Sequence, residues 1–275
     1  MAENLPRRSS FSLRALGLYL VLAFGITWAV LVPALSRVPE SRRMPFIVLA
    51  AFGPFLSAVI TIRVTKGKRE LIRWLRRIFR FRHSVLHYLS AAFFLPVGMG
   101  LLHYGLYRAL GGAPDFSDAI PWPLYLAYLL PTALLTGGNE EPGWRGLALP
   151  ALLERMRPVP AALVLGVIHA AWHLPLMESY DTTFGWYLFN IVPLTVIFNW
   201  LCSRSRGSVV PVMLLHAGVN VIGGFLPTPL DVLGGWGTSV ALRGAVYWTI
   251  AIVLIVRTKG RLGVEALADD QVGDR

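Results

Sequence analysis

Eight apolar runs, near residues 14–35, 45–63, 85–107, 121–138, 158–177, 184–202, 208–226 and 239–256, constrain this chain more than any other feature. Most are close to twenty residues long, the length at which a helix rising about 1.5 Å per residue crosses the hydrocarbon of a bilayer, whereas a barrel strand needs only about ten. In lipid every backbone N–H and C=O must be paired inside the protein, so runs of this length fold as helices. The expected fold is all-α: a polytopic membrane bundle of about eight transmembrane helices. Composition agrees, with 55% hydrophobic and 15% charged residues, less charge than a soluble domain carries. A further segment, 139–157, either extends the fourth run or lies at the interface.

The net charge of +11 does not point to nucleic acid, because the basic residues flank the apolar runs. With the N-terminus inside and the runs alternating, the inner side receives 21 of the 26 Lys and Arg. The outer side receives 5: Arg37, Arg42, Arg43, Arg108 and Arg243. That bias expects an integral membrane protein with both termini in the cytoplasm. The first apolar run is too long for a signal peptide and lacks a clear cleavage site, so it reads as an uncleaved span. The tail "VEALADDQVGDR" is expected to be mobile. Cys202 is the single cysteine, which excludes an intrachain disulfide and a multi-cysteine zinc site. In "KGKRELIRWLRRIFRFR" (66–82), Leu71, Trp74, Leu75, Ile78 and Phe81 recur at helical spacing between arginines. This predicts an amphipathic helix on the anionic cytoplasmic leaflet.

Ionisable groups inside apolar runs are costly and therefore mark function. Three clusters qualify. "GGNEEPGWRG" (137–146) carries Glu140, Glu141 and Arg145. In a helix Glu141 and Arg145 are i and i+4 and can pair, while Glu140 lies on another face, so the two acids take different partners. Spacing alone leaves a solvated interfacial helix equally open. "GVIHAAWHLPL" (166–176) sets His169 and His173 on one helix face, a spacing that suits a metal, or one catalytic histidine beside a packed one. "PVMLLHAGVNVIGG" (211–224) does the same with His216 and Asn220. Asparagine is a neutral donor and a poor base, which favours orientation or oxyanion stabilisation over proton transfer. A helical hairpin reversing between 156 and 157 would bring Glu140 level with His173. It needs a long helix through 139–157 despite Pro142 and Pro150.

The three clusters, read as "EEPGWR", "HAAWH" and "HAGVN" in this order, resemble the CPBP family of intramembrane proteases, which includes the CAAX prenyl endopeptidase of the Rce1 type. The resemblance covers residues 127–224. It implies a protease core there, N-terminal transmembrane helices with the basic interfacial segment over 1–126, and a final transmembrane helix with a cytoplasmic tail over 225–275. It also implies a conical polar cavity in which Glu140 and His173 activate a water and His216 and Asn220 stabilise the oxyanion. Glu141 and Arg145 would hold the motif's shape. Relatives place an aromatic residue where this chain has His169, so a packing role in support of the site is expected for it. The family has been described both as metalloprotease and as glutamate protease. Glu140, His173 and His216 could hold zinc, but Asn220, a poor zinc ligand, tilts the reading toward no cofactor.

The resulting expectation is an intramembrane endopeptidase acting on a peptide or membrane-protein substrate, in contact with the lipid bilayer and not with nucleic acid. The alternative is a non-catalytic immunity or scaffold protein that uses the same cavity for binding. A transporter is disfavoured, because no internal repeat is visible and most other runs lack charge. Oligomeric state and substrate identity do not follow from these residues.

Overall fold

The computed structural model describes residues 11–113, 116–177, 183–226 and 236–265, and every regular element among them is helical. In chain order these are α1 (Leu13–Arg37), α2 (Met44–Ala51), α3 (Gly53–Ile78), α4 (Val85–Leu89), α5 (Leu95–Ala109), α6 (Tyr125–Leu135), α7 (Glu141–Gly143), α8 (Leu149–Leu153), α9 (Pro158–Trp172), α10 (Phe184–Arg204), α11 (Val210–Phe225) and α12 (Trp236–Arg257). All eight apolar runs are thus helical, and the molecule is a helical membrane bundle. Five stretches are long and apolar enough to cross a bilayer: Leu13–Arg37, Met44–Ile78, Val85–Ala109, Phe184–Arg204 and Ser239–Arg257. α9 and α11 are shorter, and α6 has 11 residues. Arg7, Arg8 and most of the polar tail, from residue 266, lie outside the described residues.

The outer faces stay apolar, with Val21, Leu101, Leu126, Leu130, Ile252 and Val256 exposed. In a bilayer these side chains meet lipid rather than water. The inner faces build one large core with smaller apolar clusters beside it. Tyr19 of α1, Ala58 and Trp74 of α3, Trp144, Leu165 of α9, Val212 of α11 and Tyr247 of α12 share it, so a single core runs through all three expected parts of the chain.

Prolines decide where the helices are irregular. Proline stands in the first positions of α2, α3, α5, α8, α9 and α11, where its missing N–H costs nothing. Two of them interrupt a longer helical run. Pro96 follows a π-helical turn at Ser90–Phe94, and Pro150 follows another at Trp144–Ala148. A proline cannot donate to the carbonyl four residues back. That strands Ala92 in the first case and Gly146 in the second. The hydroxyl of Tyr125 donates to Ala92 O at 2.6 Å, and the indole of Trp74 donates to Gly146 O at 2.9 Å. Each break is thus closed by an aromatic donor from another helix.

The second closure accounts for the basic segment. α3 turns at Gly67, whose φ of 86° lies in the left-handed region that glycine reaches without strain. It then continues to Ile78 with Trp74 and Ile78 buried in the core. Arg73 and Arg76 remain exposed, and Arg73 pairs with Glu70. The expected amphipathic helix forms, but its apolar face is covered by the protein itself. Phe81, expected on that face, lies beyond the helix and is 75% exposed.

Candidate active site

Residues 138–153 form one helical run of changing pitch: a 3-10 turn at Gly138–Glu140, α7, the π turn and α8. The chain reverses through 154–157 into α9. The reversal brings both histidines of α9 to Glu140, with ligand atoms of the three within 4.8 Å of one another. His169, which the register argument left out, makes the close contact. His169 Nε2 and Glu140 Oε2 lie 3.1 Å apart. His173 closes α9 as its C-cap, with its ring 5.0 Å from that of His169 and 5.1 Å from Tyr187. Glu140 is 4% exposed and His173 6%.

Glu141 points the other way and is fully buried. Arg145 Nη1 reaches both its oxygens, at 3.1 and 3.0 Å. His216 Nδ1 lies 2.6 Å from Oε1, so the expected i, i+4 pair forms and gains a histidine. A carboxylate only accepts, so His216 donates from Nδ1 and turns Nε2 away from Glu141. On the far side Arg145 Nε donates to Asn199 Oδ1 of α10 at 3.2 Å, and the guanidinium lies over the Phe198 ring. Asn199 escaped the sequence reading. Its signal was an amide inside the apolar run 184–202, one of two there with Asn190, the kind of residue that deserves a partner by the same logic as the charges.

Gly137 explains the glycine pair before the acids. A Cβ there would stand 2.7 Å from Asn220 Nδ2 and 3.3 Å from His216 Nε2. Only a residue without a side chain lets the "GGNEE" segment lie against both groups of α11. Asn139 Oδ1 accepts from Gly137 N at 2.9 Å and holds the turn. Glu140, His169, His173, His216 and Asn220 then line one cavity of about 700 Å³, which is the polar cavity the resemblance implied. All seven residues singled out from the sequence lie in this neighbourhood. Glu140, His169 and His173 face each other, and His216 joins Glu141 and Arg145.

His169 packs its ring against Trp144, 5.1 Å between centroids, as expected of a residue in an aromatic slot. It also does something a phenyl ring cannot, by bonding Glu140. Among the described residues, Glu140, His169 and His173 each offer a ligand atom within 4.8 Å of the other two. The expected zinc set of Glu140, His173 and His216 is not the set brought together in this way. His169 stands in it and His216 does not; Nδ1 of His216 bonds Glu141 instead.

A helical membrane bundle with a buried carboxylate, two histidines and a histidine–asparagine pair around one cavity is an architecture suited to intramembrane hydrolysis. Residues 121–222 match the family model described as type II CAAX prenyl endopeptidase, Rce1-like. A relative named CAAX prenyl protease 2, from Methanococcus maripaludis, is 25% identical over 221 residues, covering 75% of this chain and 79% of its own. With the three motifs assembled at the cavity, both comparisons support a likeness to the CPBP/Rce1-like family and an intramembrane protease.

Proposed function

We propose that this chain is an intramembrane endopeptidase in which Glu140 is the base. The observation that carries this reading is the convergence of Glu140, His169 and His173, all buried, on a cavity that His216 and Asn220 also line. Donor and acceptor roles then follow from the partners. Ionised Glu140 accepts from His169 Nε2–H, which fixes the carboxylate. His173 Nδ1 donates to the carbonyl of His169 at 3.0 Å, so its neutral ring presents Nε2 as an acceptor. Glu140 and His173 can therefore both accept from one water, and Glu140 takes its proton as the oxygen attacks the peptide carbonyl. Asn220 Nδ2 is a donor at any pH, and His216 Nε2 donates when the ring carries both protons. These two face the developing oxyanion. Collapse breaks the C–N bond, and the proton held by Glu140 passes to the leaving amine.

The donors Glu140, His169 and His173 would also fit a zinc ion, two imidazoles and a carboxylate leaving a position for water. Zinc bound there would lower the pKa of that water. The proton path above is written for the side chains alone. Elemental analysis of the purified protein separates the two forms of the site.

The relative's name makes a prenylated C-terminal peptide the first substrate to try. Purified protein should cleave such a peptide, and Glu140→Gln should not. Comparison of new N-termini in membranes carrying either protein extends the search to native substrates. Equal peptide profiles from the two proteins would defeat the proposal and favour a binding protein.

A further inference from the structure

The cavity has a second polar end. Arg243 of α12 and Asn190 of α10 line it together with Glu140, His173 and His216. Arg243 lies about one turn inside the spanning stretch Ser239–Arg257, at the end expected on the outer side, and a charged group there that lines a cavity is a candidate for function. Asn190 Nδ2 donates to the carbonyls of Trp186, at 3.0 Å, and Val240, at 3.3 Å. Its Oδ1 thereby faces Arg243 and accepts from Nε at 3.3 Å. The arginine is held by its Nε, lines the cavity as an exposed side chain, and makes no ion pair among the described residues. It belongs to none of the three motifs and lies outside the matched segment 121–222.

We propose that Arg243, oriented by Asn190, binds a carboxylate of the peptide substrate. This rests on the endopeptidase reading above. The planar fork of a guanidinium suits a carboxylate through two parallel hydrogen bonds. The spacing suits a peptide. The His216 ring packs 5.3 Å from Phe198, and Asn190 lies eight residues before Phe198 on the same wall of α10. That offset is about 12 Å along a helix, which an extended chain covers in about three to four residues. A carbonyl held at His216 and Asn220 would thus have its anionic anchor a few residues away, either the free C-terminus or an acidic side chain.

The test uses full-length protein in detergent and a prenylated, internally quenched peptide in three forms: free C-terminal acid, C-terminal amide, and amide with Asp as the last residue. Wild type should cleave the acid with kcat/KM at least tenfold above the amide, mainly through KM. Arg243→Gln should raise KM for the acid at least tenfold and bring the acid-to-amide ratio within about threefold. Arg243→Lys, which keeps charge but loses the fork, should fall between. If the Asp-ended amide recovers the advantage of the acid, the site reads a carboxylate from either source; if not, it reads the terminus. Wild type that cleaves acid and amide equally overturns the subsite while leaving the endopeptidase standing. Wild type that cleaves no form overturns both. Should Arg243→Gln fail to fold, as judged by melting, the wild-type ratio and Arg243→Lys still decide.

Discussion

Glu140 and Glu141 are adjacent in the chain and belong to different surroundings. Glu140 meets His169 at the wall of a cavity. Glu141 is sealed between Arg145 and His216, and Arg145 is backed by Asn199 and Phe198. One carboxylate is placed where a substrate can reach it, and the other where nothing can. The difference teaches that a buried charge in a membrane helix has two uses, chemistry and orientation, and that its partners tell which. Because Glu141 holds His216 by Nδ1, the sealed network still acts on the open one through that ring.

The largest test of this contrast is Glu140→Gln. It keeps the shape and removes the proposed base, so activity should fall by about 10³-fold or more, within the range for general-base loss. The melting temperature should stay close to wild type. A variant that keeps turning over would move the base elsewhere. Next comes Glu141→Gln. Breaking a buried ion pair costs about 3–5 kcal/mol, so this variant should melt well below wild type and lose activity partly through a loosened His216. If Glu141→Gln were stable and dead while Glu140→Gln stayed active, the two roles would be exchanged.

His169→Phe sharpens the comparison at smaller scale. The sequence reading expects a packing role and activity within about tenfold of wild type, equivalent to roughly 1.4 kcal/mol in barrier. The contact with Glu140 makes the expected loss larger, since a hydrogen bond to a charged group contributes about 1.5–3 kcal/mol, or about ten- to hundredfold. Wild-type turnover in His169→Phe would return the residue to packing alone. The smallest effect is expected from Trp74→Phe, which strands the Gly146 carbonyl beneath the motif. An unsatisfied buried acceptor costs about 1–3 kcal/mol, read as a lowered melting temperature with KM little changed. An unchanged melting temperature would mean that the π turn does not need the indole.

Much of this was legible beforehand. The apolar runs became helices where they were expected, and the spacing of Glu141 and Arg145 gave a pair because both ends of an i, i+4 relation lie on one helix. The partners that cross between helices were not legible. Trp74 reads as one more apolar residue of an amphipathic stripe, yet its indole closes a break made by Pro150. Asn199 reads as a polar interruption, yet it anchors Arg145. The expected pairing brought Glu140 near His173 but did not include His169, since counting residues assumes constant pitch and the run 138–153 passes through 3-10, α and π geometry.

What the sequence determined by itself is whatever acts locally: which segments must be helical in lipid, which residues share a helix face, and which motifs the family uses. The tertiary structure alone decided that Glu140 meets His169, that Glu141 serves His216, and that Arg243 shares the cavity with Glu140 and His216. Those outcomes depend on the pitch, depth and rotation of helices packed against one another. A shift of one turn, about 5.4 Å, exchanges one partner for another without changing any local pattern.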